Sequence, residues 1–247
     1  HTIFHRPEEG FTLQIGDGQE IANATGIMTI NDFRSEDVSK GGQGAPLVPI
    51  GDRHLFAEFP ICLNIGGIAN VSYEMNGRRI AYDICMANQL LNYLANKLGY
   101  DYDNNGQFAK QGKVDKELFD ILNDNAYYKQ DAPKSLGREF FENVQHKIID
   151  ESSLSINDLL ATATEHIAHQ IVRSTDNLEK SKMLVTGGGA KNNFLIERIC
   201  SLSKHEIVIP DVMITDFKEA LIFAFLGVLK MEGKINVLSS VTGASSD

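Results

Sequence analysis

A run of three consecutive predicted strands, followed by alternating helices and strands, most limits what this chain can fold into. Ile61–Glu74 contains two apolar runs bent at Gly66-Gly67, and Asn76-Gly77 is a strong hairpin signal before a third run, Arg78–Cys85. The next segment, Ala87–Gly99, has helical spacing and stops at a glycine typical of a helix C-terminus. A β-meander that leads into such an alternation predicts an α/β fold.

The rest of the chain continues this pattern on its C-terminal side. Apolar spacing predicts helices over 114–125, 137–150, 155–178, 192–202 and 217–233, and strands over 182–189 and 206–210. Ser155, with Asp158 three residues later, is a good N-terminal cap for the longest of these helices. Residues 1–60 are predicted instead to form short strands and loops, with a tight turn at Gly16-Asp17-Gly18.

Composition excludes several classes of protein. The 247 residues carry 33 acidic and 23 basic side chains, a net charge of −10, which argues against nucleic acid or an anionic membrane as a partner. The longest apolar run, Ala220–Leu229, is about half of what a bilayer crossing needs. Three cysteines without C-x-x-C spacing (Cys62, Cys85 and Cys200) fit a reducing compartment. We therefore expect a cytoplasmic protein.

The sharpest local signal is a strand, a glycine triplet and a helix at Met183–Phe194. A strand that ends in glycines and opens a helix can receive a nucleotide against bare backbone. The segment is not the dinucleotide fingerprint G-x-G-x-x-G, because Asn192 occupies the last glycine position. A nicotinamide-dependent oxidoreductase is therefore disfavoured. The other interpretation is a tight connection between strand and helix.

Three further features could handle a ligand. The bend at Gly66-Gly67 can offer backbone N–H groups to phosphate oxygens, although glycine in a strand also marks bulges. Asp83 lies at the predicted end of a strand, where it could act as a general base or could cap the following helix. The loop Gly41–Pro46 is a candidate binding rim or a simple connector. The histidine pairs His166/His169 and His1/His5 do not predict a metal site.

These pieces, in this order, resemble the 1,6-anhydro-N-acetylmuramic acid kinases of the sugar kinase/Hsp70/actin superfamily. The pairing of GGQGAPLVP (41–49) with NIGGIAN (64–70) is the most specific part of the likeness. The other matching segments are TLQIGD (12–17), NDFRSEDVSK (31–40), YDICMAN (82–88), APKSLGREFF (132–141), VTGGGAKNNFL (185–195), KEALIFAFL (218–226) and SSVTGAS (239–245).

The resemblance implies an actin-like, ribonuclease H-like ATPase fold with two lobes. Residues 1–60 would then be the remainder of the N-terminal lobe and residues 61–247 the C-terminal lobe. The family's phosphate loop, G-T-S-x-D-G-x-D, does not occur in these residues. Since the chain also begins HTIFHRP without an initiator methionine, we expect that the N-terminal lobe is incomplete here and that this fragment alone is inactive.

The resemblance also implies a reaction. A family member uses ATP and Mg²⁺ to open the anhydro bridge of the sugar with water and to phosphorylate the freed O6, giving N-acetylmuramic acid 6-phosphate in cell-wall recycling. Asp83 would deprotonate the attacking water, and Arg34 would supply positive charge near the transferring group. We expect the partners to be the amino sugar, ATP and a second copy of the chain in a homodimer.

The remaining family positions would bind the two small molecules. The residues implied for the sugar are Asp32, Gly41, Gly42, Gln43, Gly44 and Glu219. The residues implied for the nucleotide are Gly66, Gly67, Gly187, Gly188, Gly189 and Asn192. No residue is implied as a metal ligand.

One departure from the family pattern keeps a second hypothesis open. Relatives carry D-T-G-P-G-N around the base, whereas this chain has Asp83-Ile84-Cys85-Met86-Ala87-Asn88. Met86 and Ala87 add side chains where the family has small or rigid residues. The alternative is therefore a degenerate homologue that binds a nucleotide, a sugar or a partner protein without transferring phosphate.

Overall fold

The computed structural model describes residues 2–247 and has the predicted α/β architecture. His1, one member of the His1/His5 pair, lies outside the described residues. The strands are β1 (Thr2–Arg6), β2 (Phe11–Gln14), β3 (Ile61–Ile65), β4 (Ile68–Met75), β5 (Arg78–Met86), β6 (Lys182–Thr186) and β7 (Glu206–Val208). The helices are α1 (Gly18–Thr25), α2 (Ser35–Ser39), α3 (Pro49–Leu55), α4 (Asn88–Asn96), α5 (Gln107–Gln111), α6 (Lys116–Asn123), α7 (Arg138–Phe140), α8 (His146–Asp150), α9 (Ile156–Thr175), α10 (Asn193–Leu202), α11 (Val212–Met231) and α12 (Ser239–Thr242).

The main sheet has five strands in the order β5-β4-β3-β6-β7. Strand β3 pairs antiparallel with β4 and parallel with β6, and β6 pairs parallel with β7. An antiparallel meander extended by parallel strands is the ribonuclease H-like sheet that the resemblance implies, so the predicted fold class is confirmed. Four of the five residues of β6 are buried, as expected for a strand covered on both faces.

The chain divides into two compact units. One unit contains the chain up to Ala57, Glu74–Ala81 and Phe217–Asp247, and the other contains Glu58–Tyr73 and Tyr82–Asp216. The division into lobes at residue 60 stays a proposal.

The second unit is built around α9, a 20-residue helix whose start follows the predicted cap. The Ser155 hydroxyl accepts a hydrogen bond from the backbone N–H of Asp158 at 3.2 Å. Twelve residues of α9 are buried, because helices α4, α5, α6 and α10 all pack on it. The helix predicted over 137–150 also forms, with a π-helical turn at Phe141–Gln145 between α7 and α8.

The prediction for residues 1–60 was incomplete, since this region holds three helices besides its two strands. Gly16-Asp17-Gly18 is not only a turn, because the Asp17 carboxylate caps α1 by accepting from the N–H groups of Gln19 and Glu20. Residues 26–33, part of the region predicted to form short strands and loops, form no strand. An aspartate followed by good helix formers was the signal available for α1.

Candidate functional site

Three chain segments meet at the carboxyl ends of β3 and β6 in the second unit. The carbonyl of Gly67 accepts from the N–H groups of Ala87 and Gln89, at 2.8 and 3.2 Å. The carbonyl of Gly66 accepts from the N–H of Asn88 at 3.1 Å, and the Asn88 amide donates to the carbonyl of Ile65. The glycine bend between β3 and β4 is therefore held against the start of α4. In an open sheet this edge is the usual place for a ligand.

The three consecutive glycines after β6 have different physical roles. A Cβ on Gly187, whose φ is +83°, would lie 2.8 Å from the carbonyl oxygen of Ile65, and one on Gly189 would lie 2.2 Å from the Ile65 side chain. Both positions thus require glycine for packing against β3. A Cβ on Gly188 would meet only the Asn88 amide, at 3.5 Å. The connection between β6 and the next helix therefore requires glycine at positions 187 and 189. Gly188 is the member of the triplet with room for a ligand beside it.

A cavity of about 400 Å³ opens beside Gly188. Its walls come from α4, the loop before α5 and the turn that precedes α10, and half of the lining residues are asparagines, with one aromatic ring, one lysine, one aspartate, one leucine and one glycine as the rest. The lining residues are Asn88, Leu91, Asn92, Tyr102, Asp103, Asn104, Asn105, Gly188, Lys191 and Asn192. The volume is within the range of small-molecule sites. Of the nucleotide positions predicted from sequence, Gly188 and Asn192 line this cavity.

Asn192 has a structural contact in addition to its place in the cavity wall. Its side-chain oxygen caps α10 by accepting from the N–H of Leu195 at 3.1 Å. Gly106, whose φ is +69°, lies so close to Asn192 and Phe194 that a Cβ there would be 2.6 Å from the Asn192 amide oxygen and 2.6 Å from the Phe194 Cβ. Gly106 was not singled out from sequence, and the N-N-G turn signal before it was the only available indication.

Gly66 and Gly67 are open on their side-chain face. A Cβ on Gly66 would lie 3.4 Å from its nearest neighbours, and one on Gly67 would lie 3.9 Å from Gln89. These are ordinary van der Waals distances, so the fold tolerates alanine at both positions. Any requirement for glycine here comes from something the bend binds.

Asp83 lies within β5 and is half-buried. The strand was predicted to end here, but it continues to Met86. The following helix has Ala87 at its N-cap and no side-chain cap. The capping interpretation of Asp83 is therefore wrong. One carboxylate oxygen, Oδ2, accepts from the backbone N–H of Leu136 at 2.9 Å, and among residues 2–247 no donor contacts Oδ1.

The environment of Asp83 favours proton acceptance. Burial raises the pKa of its carboxyl group above the ordinary value, and the hydrogen bond from Leu136 opposes this rise only in part. A carboxylate with a raised pKa holds a proton more strongly, and its free Oδ1 is available to receive one. Asp83 therefore has the chemistry of a general base.

The departure from the family pattern after Asp83 is buried. Cys85, Met86 and Ala87 are each 0% exposed, so their side chains fill the core instead of facing a ligand. Burial also raises the pKa of the Cys85 thiol, which keeps it protonated and unreactive. The added side chains therefore do not occupy the accessible surface beside Asp83.

In the first unit, the glycine-rich loop Gly41–Gly44 is folded around the buried side chain of Asp37. Asp37 Oδ2 accepts from the N–H of Gly44 at 2.7 Å, and Oδ1 accepts from the Thr242 hydroxyl at 2.6 Å. The N–H of Gln43 donates to the carbonyl of Thr242 at 2.9 Å. Sequence inspection named the loop but missed Asp37, which forms its centre.

Arg34 and Glu219 lie near this loop. The Arg34 guanidinium donates to the carbonyl of Gly44 at 2.5 Å. Burial lowers the pKa of Arg34, while the nearby Glu219 carboxylate opposes this shift. Asp32, at a φ of +55°, accepts from the N–H of Ser35, the first residue of α2, at 3.2 Å. The residues predicted for the sugar thus gather in one unit, with a cation and a carboxylate beside backbone polar groups.

A buried ionic cluster supports the helix that carries Glu219. Lys218 Nζ lies 2.7 Å from Asp52 Oδ1, and Arg79 lies 3.8 Å from Asp52 Oδ2. All three side chains are buried. Since an unpaired buried charge is costly, the cluster fixes α11 relative to α3 within this unit. The sequence offered no signal for it beyond a lysine on an apolar helix.

No group of three or more His, Cys, Asp or Glu side chains between residues 2 and 247 is placed to hold a metal ion. A Mg²⁺ ion that binds together with a nucleotide commonly needs only one or two carboxylates, besides phosphates and water. A group of three is thus not required for such an ion, and we assign no individual residue as a magnesium ligand. Over the same described range, no helix is long and apolar enough to span a membrane.

The fold is α/β, and the sheet edge with its two glycine bends and adjacent cavity is the place at which open α/β sheets bind small ligands. Comparison with known proteins narrows this class. The model of the family "Anhydro-N-acetylmuramic acid kinase" matches residues 1–247. Anhydro-N-acetylmuramic acid kinases from Methylorubrum populi and Vibrio cholerae are 37% and 39% identical, each over 99% of this chain, and the chain covers 66% and 70% of them.

The chain belongs to the anhydro-N-acetylmuramic acid kinase family. It spans about two thirds of the length of these two relatives. A solved structure of the activator of 2-hydroxyisocaproyl-CoA dehydratase from Clostridium difficile, with bound ADPNP, is 18% identical and has a TM-score of 0.43, covering 73% of this chain and 65% of that one.

Proposed function

We propose that the protein carrying this chain is an ATP-dependent kinase that converts 1,6-anhydro-N-acetylmuramic acid into N-acetylmuramic acid 6-phosphate. The family match over residues 1–247 carries this proposal. The free Oδ1 and raised pKa of Asp83 support it. The expected setting is peptidoglycan recycling in the cytoplasm by a homodimer.

In the proposed reaction Asp83 acts on water. Its Oδ1 accepts a proton while the water oxygen bonds to the anomeric carbon C1. The bond between C1 and O6 breaks and leaves its electron pair on O6. The freed O6 then forms a bond to the γ-phosphorus as the bond to the ADP oxygen breaks, so Asp83 ends with the proton. A positioned base and in-line geometry are the main requirements of such a step.

The other predicted residues would bind and orient. Arg34 would place positive charge near the transferring group, and Glu219, Asp32 and the loop Gly41–Gly44 would bind the sugar. Gly66 and Gly67 would lie by the phosphates, with Gly187–Gly189 and Asn192 by the adenosine. Mg²⁺ bound with the nucleotide would neutralise phosphate charge.

The test compares two sugars with the full-length protein. We expect transfer of phosphate from ATP to 1,6-anhydro-N-acetylmuramic acid, with one atom of ¹⁸O from labelled water at C1, detected by mass spectrometry. N-acetylmuramic acid has a free O6 but no bridge, and we expect little turnover on it. Equal turnover on both sugars contradicts the coupled mechanism. Binding of ATP and sugar without turnover supports the degenerate homologue. We propose that the 247-residue fragment alone is inactive.

A further inference from the structure

The segment Asn125–Leu136 contacts Asp83 at three of its polar atoms. The Tyr127 hydroxyl donates to the carbonyl of Asp83 at 2.5 Å. The N–H of Asp83 donates to the carbonyl of Lys134 at 3.3 Å, and the N–H of Leu136 donates to Asp83 Oδ2 at 2.9 Å. One strand residue is thus bound, at two backbone atoms and one carboxylate oxygen, by a segment more than 40 positions away in the sequence.

This segment is itself held in shape by Lys134. The ammonium group of Lys134 donates to the carbonyls of Tyr127 and Gln130, at 3.3 and 2.9 Å. It also lies over the rings of Tyr127 and Tyr82, 4.9 and 5.3 Å from their centroids. A cation between two aromatic faces is stabilised by both rings, which ties the segment to β5.

The other side of the segment is anchored in the helical layer by Tyr128. Its buried hydroxyl lies 3.3 Å from His166 Nε2 on α9, and it accepts from the Gln145 amide at 3.3 Å. Gln145 belongs to the π-helical turn between α7 and α8. Because these groups are buried, moving the segment would leave polar atoms without partners.

The Tyr127 hydroxyl is a permanent donor. Burial, and then the neighbouring Asp83 carboxylate, raise the pKa of Tyr127 far above its ordinary value. The phenol therefore keeps its proton at any pH at which the protein is folded, and its bond to the Asp83 carbonyl does not titrate.

We propose that the segment Asn125–Leu136 is the positioning element of the base Asp83, which it fixes through Tyr127 and Leu136 so that Oδ1 faces the substrate water. This inference rests on the proposed function. Leu136 occupies one carboxylate oxygen and leaves the other free, so it also selects which oxygen receives the proton. Tyr127 and Leu136 are positioning residues, since they act through Asp83.

The first test removes one hydroxyl. In the full-length protein we expect Tyr127→Phe to lower kcat roughly 10-fold with the KM for ATP unchanged, because the ring still packs while Asp83 loses a positional restraint. Tyr93→Phe is the matched control, since its hydroxyl bonds to Asp150 on the surface. A kcat for Tyr127→Phe equal to that of the control overturns the proposal.

The second test removes a backbone donor. Leu136→Pro deletes the N–H that bonds to Asp83, whereas Leu136→Ala keeps it and shortens the side chain. We expect the acidic limb of kcat/KM to move to higher pH in Leu136→Pro alone, because the lost bond favoured the charged carboxylate. Identical pH profiles for the two variants contradict the positioning role.

Two measurements separate this inference from the function it rests on. Carbon-13 NMR titration of Asp83 in the wild type, in Leu136→Pro and in Leu136→Ala reports the carboxyl pKa without turnover, and a pKa raised in Leu136→Pro alone supports the positioning role. If Asp83→Asn is inactive and Tyr127→Phe behaves as wild type, positioning fails and the base assignment stands. If Asp83→Asn retains full turnover, the base assignment fails, and a positioning role for the base fails with it.

Discussion

Leu136 donates its backbone N–H to Oδ2 of Asp83 at 2.9 Å, across 53 positions of sequence. Because a backbone donor cannot rotate away as a side chain can, one oxygen of the carboxylate is permanently occupied. The second oxygen has no donor from residues 2–247. The two oxygens of the Asp83 carboxyl group are therefore not equivalent, and Oδ1 is the one left to accept a proton in the proposed reaction.

Replacement of Asp83 by asparagine is expected to separate catalysis from stability. We expect kcat to fall roughly 10²- to 10⁴-fold, because an amide cannot accept the proton. Since burial raises the carboxyl pKa, the charged form costs stability above its folded-state pKa, so Asp83→Asn should leave the melting temperature equal or higher at pH 7. Calorimetry and turnover on the same preparation test both parts, and a large loss of stability would contradict the burial argument.

The pH profile of the wild type follows from the same group. The base works only when ionised, so kcat/KM falls as the pH drops through the pKa of Asp83. Because burial raises that pKa above the ordinary value of 3.8, we expect the acidic limb to lie above that value. An acidic limb at or below 3.8 would show that another group acts as the base. Turnover measured in constant-ionic-strength buffers resolves the limb.

The glycine triplet offers a matched pair of substitutions. Gly187→Ala forces a side chain at φ +83° and against the Ile65 carbonyl, so we expect a loss of about 1–3 kcal/mol of stability or more. Gly188→Ala meets only the Asn88 amide at 3.5 Å and should change stability by less than about 0.5 kcal/mol. If Gly188 lies by the nucleotide, its variant alone loses ATP affinity while keeping its stability. Calorimetric titration and thermal unfolding measure the two effects.

Asp37 is expected to stabilise the loop Gly41–Gly44 far more than its neighbour Glu36 does. Asp37→Ala removes the acceptor for Gly44 and Thr242 in a buried place, which should cost about 2–4 kcal/mol. Glu36 is exposed and pairs with Lys230 on the surface, so Glu36→Ala should cost about 1 kcal/mol or less. The free energy of unfolding of each variant, measured by denaturant titration, tests this difference. Equal losses would show that the carboxylate does not organise the loop.

Because the His166 ring is buried, we expect the folded protein to lose stability at mildly acid pH. Burial first, and then the nearby His169, lower its pKa from 6.5 to about 3. The unfolded chain therefore binds the proton first, and the contribution of the neutral ring is complete above pH 6.5 and falls as the pH drops toward 3. Between pH 6.5 and 5 the loss is about 2 kcal/mol. Urea unfolding of wild type and His166→Gln should show this pH dependence in the wild type alone.

The sequence predicted the scaffold because its signals were local. Hydrophobic spacing, the Ser155 cap and the hairpin at Asn76-Gly77 depend on residues a few positions apart, and each element that they predict after residue 60 is present. The same local signals failed for residues 1–60, where α1 begins at a capped turn that looked like a loop.

The parts of the site that sequence missed depend on distant contacts. Asp37 with Thr242, and Asp83 with Leu136, are brought together by folding and leave no periodic trace. The sequence also does not distinguish the roles of the three glycines that follow β6. Only the distances to Ile65 show that Gly187 and Gly189 serve packing while Gly188 faces the cavity.

The bonds from Thr242 to Asp37 and Gln43 also set an order of events during synthesis. The loop Gly41–Gly44 is synthesised before the strands of the main sheet, but the hydroxyl and carbonyl that hold it belong to a residue made about 200 positions later. At translation rates of roughly 5–20 residues per second, the loop waits on the order of ten seconds or more for its partner. The nascent protein therefore closes this proposed sugar-binding loop only after the strands of the main sheet have been synthesised.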